Sequence, residues 1–167
     1  MSTLLALAEQ IENSPFGMAL AESRYAFAVI EGVHLIGLAL SVGLIFLTDL
    51  RLTGLLFKAV PVPDVLRNLR PYVIVGFVAV FVSGVLLFWA EATMLVENPA
   101  FPFKLAFIVL AGINALYFEF VIAKRAPVRE NHAILPVSVK RAGYASLVLW
   151  TLVIICGRLI PYMPPTG

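Results

Sequence analysis

Charge is scarce in this chain. Acidic and basic side chains together make up 13% of its 167 residues, about half the share found in ordinary soluble domains. The formal net charge is only +2, so no nucleic-acid partner is expected, since such partners demand concentrated basic charge. Cysteine occurs once, as Cys156. One cysteine excludes an intrachain disulfide and any cysteine-ligated cluster or zinc site within one chain. Its setting, Val153-Ile154-Ile155-Cys156-Gly157, suits a small buried hydrophobe. A basic leader is also missing: residues 1–14 carry Glu9 and Glu12 where a signal peptide would be basic and then apolar. No repeat, low-complexity tract or second domain is evident, so residues 1–167 read as a single integral membrane domain.

What the chain has in abundance is apolar sequence, 61% of it, with a mean hydropathy of +0.97. Four long runs carry most of this, at about residues 24–48, 72–90, 103–123 and 143–160. Each reaches or approaches the ~20 residues that an α-helix needs to cross a hydrocarbon core. None shows the polar face of a helix in a water-soluble bundle. The expected fold is all-α: a four-helix transmembrane bundle. Pro61, Pro63 and Asp64 are read as a break between the first two spans, with a short helix through Arg70. Asn98, Pro99 and Pro102 form the next break, and Pro127 and Pro136 flank the last connection. Residues 4–11 read as a short N-terminal helix lying in the membrane interface. Ser14-Pro15 reads as an N-cap followed by proline in the first turn.

Orientation follows from the basic residues. Nine of the twelve, namely Arg51, Lys58, Arg67, Arg70, Lys124, Arg125, Arg129, Lys140 and Arg141, fall in the loops after spans one and three. Only Arg24, Lys104 and Arg158 fall on the other side. By the positive-inside rule those two loops are cytoplasmic. Both termini are then periplasmic, in a bacterial inner membrane.

Polar residues inside the spans are few, and each costs roughly 3 kcal/mol on insertion scales. At 100° per residue, Glu31, His34, Ser41, Thr48 and Asp49 share one stripe of span one, expected to face the interior. Gly76, Ser83 and Ala90, seven apart in span two, read as a close-packing face. Tyr144, Thr151 and Arg158 share a face of span four. Counting a ~1.5 Å rise per residue places Glu31, Glu91 and Arg158 in the outer third, so Arg158 is expected to pair with Glu31 or Glu91. Asp49, beside Arg51, is read as an interface anchor, and Glu119 as reaching Lys124 or Arg51 or serving the interior. His34, level with Asn114 near mid-membrane, is the candidate for cofactor chemistry, since imidazole ligates haem iron or metals and relays protons. Glu31-x-x-His34 has the carboxylate–histidine spacing of bundle metal sites, but no other span contains a histidine. His132 reads as a solvated loop residue.

Ile30-Glu31-Gly32-Val33-His34-Leu35-Ile36-Gly37, followed by Thr48-Asp49-Leu50-Arg51-Leu52-Thr53-Gly54, resembles a family of small bacterial four-span membrane proteins of unknown function. Ser83-Gly84-Val85-Leu86-Leu87-Phe88, Ala111-Gly112-Ile113-Asn114-Ala115-Leu116 and Gly157-Arg158-Leu159-Ile160-Pro161-Tyr162 resemble its later segments. The resemblance implies the same topology and points again to Glu31, His34, Asn114 and Arg158. At the level of fold it extends distantly to copper-resistance and cytochrome b-type four-helix proteins. It also implies relatives with a histidine near position 119, where this chain has Glu119, leaving a two-histidine haem site to those relatives.

These readings favour a non-catalytic accessory subunit of a larger membrane complex, in contact with the lipid bilayer and with other membrane subunits or copies of itself. One alternative is an electron-transfer subunit that binds haem b or meets a quinone, with His34 as axial ligand. Another is a small metal or proton transporter using Glu31, His34 and Glu119.

Overall fold

The computed structural model describes residues 3–124 and 135–163. His132, Arg125, Arg129 and Pro127 lie outside the described residues. The described chain folds into helices α1 (Thr3–Glu12), α2 (Pro15–Glu22), α3 (Arg24–Thr53), α4 (Val62–Ala90), α5 (Ala92–Glu97), α6 (Ala100–Tyr117) and α7 (Val137–Leu159). A π-helical turn, Phe118–Ile122, continues α6, and a 3-10 turn, Ile160–Tyr162, ends α7.

Local chemistry sets the boundaries. Ser14 caps α2 by accepting from the Gly17 N–H at 3.1 Å, with Pro15 in the first turn. Ser23 does the same for α3 through Ala26. Helix α3 stops at Gly54, whose φ of +78° a glycine adopts without a Cβ clash and whose N–H bonds back to Arg51. The connection after it is expected to hold a break at Pro61, Pro63 and Asp64 and a separate short helix through Arg70, and here the structure differs. Proline fits the first turn of a helix, where its missing N–H has no intrahelical partner. Helix α4 therefore begins at Val62 and runs unbroken through Pro71.

Helices α3, α4, α6 with its π turn, and α7 with its final turn are long and apolar enough to cross a bilayer. At most 28% of the most apolar stretch in any of them is buried against the rest of the chain. Side chains such as Tyr25, Ile36, Phe81 and Phe103 stand outward. A surface this apolar is stable against lipid rather than water, which supports a multi-pass membrane protein.

Helix α3 is the hub. It packs along α4 and, on another side, against α7, which packs along α6. Helices α3 and α4 come close at their small residues. A Cβ built on Gly76 would lie 2.9 Å from both the backbone nitrogen and the Cβ of Ser41. One built on Gly37 would meet Val80 at 2.9 Å and the Gly76 carbonyl at 3.2 Å. Gly76, Ser83 and Ala90 are all buried on α4, the face expected to pack. Helices α4 and α6, by contrast, hardly approach each other. Phe88 stacks on Phe101 at one end of this seam, with centroids 5.9 Å apart. Arg70 bonds Glu119 at the other.

Both described chain ends gather at one end of the bundle. Asn98, 1% exposed, donates to the carbonyls of Ile160 at 2.8 Å and Met163 at 3.1 Å and accepts from Ala100. The Trp89 indole donates to Ser14, and Glu12 accepts from the Thr93 N–H. Expected as no more than a break, Asn98 is the knot that ties the start of α6 to the end of α7.

Replacing Gly76 with alanine should destabilise the protein by roughly 1–3 kcal/mol, because the new methyl meets backbone that cannot yield. Gly43→Ala, with nothing within 4 Å of its Cβ, should be neutral or slightly stabilising. Unfolding of both variants by denaturing detergent in mixed micelles measures the difference, and equal midpoints would contradict the close approach.

Candidate functional site

The polar residues singled out in the sequence do not meet at one point. His34 is half-buried between α3 and α4, with Nδ1 2.9 Å from the Ser83 Oγ. Ser83 has one hydroxyl proton, and its 2.5 Å contact to the Ala79 carbonyl commits that proton there. The Oγ must then accept from His34 Nδ1–H, which leaves the lone pair on Nε2. Asn114 donates to the Ala142 carbonyl at 3.1 Å and so joins α6 to α7.

Glu119 sits on the π turn, where the Ala123 N–H reaches back to the Phe118 carbonyl. Its carboxylate takes Arg70, at 2.7 and 2.6 Å, rather than Lys124 or Arg51. Lys124 lies over the Phe120 ring, and Arg51 donates to the Val60 carbonyl at 2.6 Å. Arg158 pairs with neither Glu31 nor Glu91. It is exposed, donates to the Tyr162 hydroxyl at 2.8 Å and lies over that ring. Tyr144, Thr151 and Arg158 do share a face of α7, and that face points outward. The inward face is Val139, Ala142, Gly143, Ser146, Trp150 and Val153.

Glu31 is exposed, near Glu91 at the end of the bundle that holds both described chain ends. Glu91 follows the last residue of α4 and lies outside the spans. Burial pushes its carboxyl above the usual glutamate range, and the charges of Glu31 and Glu12 push it the same way. Lys104, counted as an outer cation in the sequence, is half-buried, with Nζ 3.5 Å from the Cβ position of Gly157 on α7.

The groups that do converge lie in the other half of the bundle. A cavity of about 490 Å³ is walled by Thr48 and Asp49 of α3, Phe77 of α4, Asn114 of α6, Phe118 of the π turn and Trp150 of α7, among others. Arg70 and Glu119 stand at its rim. The cavity exists because α4 and α6 do not close on each other. The Phe77 and Trp150 rings, with centroids 5.3 Å apart, bound it towards the chain termini. Asp49 is 4% exposed, so it is an interior residue and not the interface anchor expected from its position near the span edge. Ser146 hydrogen-bonds its carboxylate. Its Oδ2 has no hydrogen-bond partner, the one buried side-chain nitrogen or oxygen in that condition among the described residues.

Sequence reasoning passed over Ser146, Trp150 and Arg70 as members of a site. The stripe through Ser41 and Asp49 was the signal for Asp49, since both are buried on one face of α3. Among the described residues no group of three or more histidine, cysteine, aspartate or glutamate side chains is placed to hold a metal. His34 does not line the cavity.

Fold and site together define a small helical protein with four bilayer-length helices and a half-open apolar cavity holding one buried carboxylate. Residues 16–163 match a family of unknown function, DUF6644, and the chain belongs to it. No curated protein and no solved structure matches the chain.

The raised Glu91 gives a testable pH dependence. Its folded form favours the proton, so Glu91 adds stability below the ordinary glutamate range. That contribution is lost as pH rises through that range to its own higher value. Glu91→Gln should therefore raise the thermal unfolding midpoint at pH 8 and change it little at pH 4. A shift of the same size at both pH values would contradict the assignment.

Proposed function

We propose that this protein is a non-catalytic accessory subunit of a larger membrane complex, placed in a bacterial cytoplasmic membrane with both termini outside. What carries the reading is how the polar groups between its helices are used. His34–Ser83, Asn114–Ala142, Arg70–Glu119 and Asn98–Ile160 each join one helix to another. Only His34–Ser83 sets a hydroxyl beside a base, and there the Ser83 proton goes to the Ala79 carbonyl, so the serine is not activated by the imidazole. The orientation rests on the bias of lysine and arginine towards the loops after spans one and three.

One experiment tests both parts. In a Cys156→Ser background, Glu22→Cys places a thiol at the end holding the chain termini and Lys58→Cys one at the opposite end. Spheroplasts at native expression levels are treated with a membrane-impermeant maleimide cross-linker. Glu22→Cys should react and shift to an adduct of one defined larger mass, while Lys58→Cys stays unmodified. Labelling of Glu22→Cys as monomer alone would overturn the subunit reading, and labelling of Lys58→Cys instead would reverse the orientation.

A second reading has one specific observation in its favour. With Nδ1 held by Ser83, the Nε2 of His34 keeps its lone pair, as an axial haem ligand must. Under that reading the protein is a b-type electron-transfer subunit whose second ligand comes from a partner or another side chain. The purified protein should then show a Soret band that sharpens and shifts with dithionite and is lost in His34→Ala. A spectrum featureless above the aromatic band removes the reading.

A further inference from the structure

We propose that the cavity between α3, α4, α6 and α7 binds a lipophilic organic ammonium ion, with Asp49 as its counter-ion. This goes beyond the accessory-subunit reading and does not rest on it.

Size and polarity set the class of ligand. About 490 Å³ falls within the usual range for small-molecule pockets, and most of the wall is apolar. The polar atoms that remain unengaged are largely acceptors. The Thr48 hydroxyl donates to the Leu44 carbonyl at 2.9 Å, which leaves its oxygen to accept. Ser146 is engaged with Asp49. Asn114 uses an amide hydrogen on Ala142, which leaves its Oδ1. The Asp49 Oδ2 is buried without a donor. An acceptor-only molecule such as a quinone can bond Asp49 only as the protonated acid, whereas an ammonium ion brings a donor and a counter-charge to the carboxylate together.

Charge points the same way. Arg70 and Glu119 cancel each other at the rim, so Asp49 alone sets the formal charge of the wall. A buried carboxylate without a counter-charge is costly. A cation among Phe77, Phe118 and Trp150 gains from the aromatic walls as well. The seam between α4 and α6 gives a hydrophobic ligand a route from the lipid that avoids water, and the π turn that carries Glu119 lies beside it.

The test uses the whole chain in phosphatidylcholine nanodiscs. The sequence holds two tryptophans, so Trp89→Phe leaves Trp150, in the cavity wall, as the sole indole reporter. The probes are 4-phenylbutylamine, its uncharged analogue 4-phenylbutanol, and 4-phenylbutanoate. The amine should change Trp150 emission saturably, at least tenfold more tightly than the alcohol, with no saturable response to the acid. Asp49→Asn, of nearly the same shape, should weaken the amine at least tenfold and leave the alcohol unchanged. Gly112→Leu, whose new side chain starts in open space in the cavity wall, should abolish binding even if Asp49→Asn fails to fold. Equal affinity for amine and alcohol, or an amine response that survives Gly112→Leu, would overturn the proposal.

Discussion

The bundle depends on one close approach, where α3 and α4 meet with hardly more than backbone between them. At Gly37, and at Gly76 against Ser41, no room is left for a methyl. In lipid, helices gain little from hiding apolar surface, and van der Waals contact between closely set backbones takes over much of that role. Once α3 and α4 are locked at this distance, His34 falls within reach of Ser83. Gly84 must stay small too, because a Cβ there would sit 3.2 Å from the His34 ring. The histidine is thus fitted into an interface that the small residues define. Its ring is held through Nδ1 by Ser83.

The same tightness produces the looseness elsewhere. Helix α3 gives one side to α4 and another to α7, so α6 joins the hub mainly through α7. That leaves α4 and α6 facing each other across a gap. A stacked pair of phenylalanines and an ion pair bridge it near its ends, and the cavity opens between them. Arg70 and Glu119 are both about half-exposed. Their attraction in such a setting is modest and weakens with salt, so the gap is held by shape at least as much as by charge. Asp49 lies at the deep side of that gap, where its second oxygen meets no donor.

Much of the architecture was legible in the sequence. The lengths of the apolar runs, the Ser14-Pro15 cap and the small-residue ladder of α4 reflect local rules that lipid does not override. That the short helix through Arg70 and the span from residue 72 are one helix was not legible, because Pro71 lies between them. Arg158 was misplaced for a different reason. Its depth suits a partner on α3 or α4, but its direction from α7 is outward, and one turn on it finds Tyr162. Glu119 could not be assigned from a 3.6-residue period at all, since the π turn changes the face on which it emerges. Asp49 lies close to the basic loop in sequence, and only the packing of α7 against α3, with Leu52 and Thr53 pressed on Gly143, shows that it is enclosed.

The order in which the helices pack has a consequence for how such a chain can be made. Helices α3 and α4 form one antiparallel hairpin, α6 and α7 a second, and the two halves meet mainly along α3 and α7. Each hairpin satisfies its own backbone within its helices, so the first can enter the membrane and settle while the second is still being synthesised. The last event of assembly is then the lateral docking of two ready-made halves along α3 and α7. In evolutionary terms, the α6–α7 half can vary or be exchanged while the histidine-bearing half stays intact.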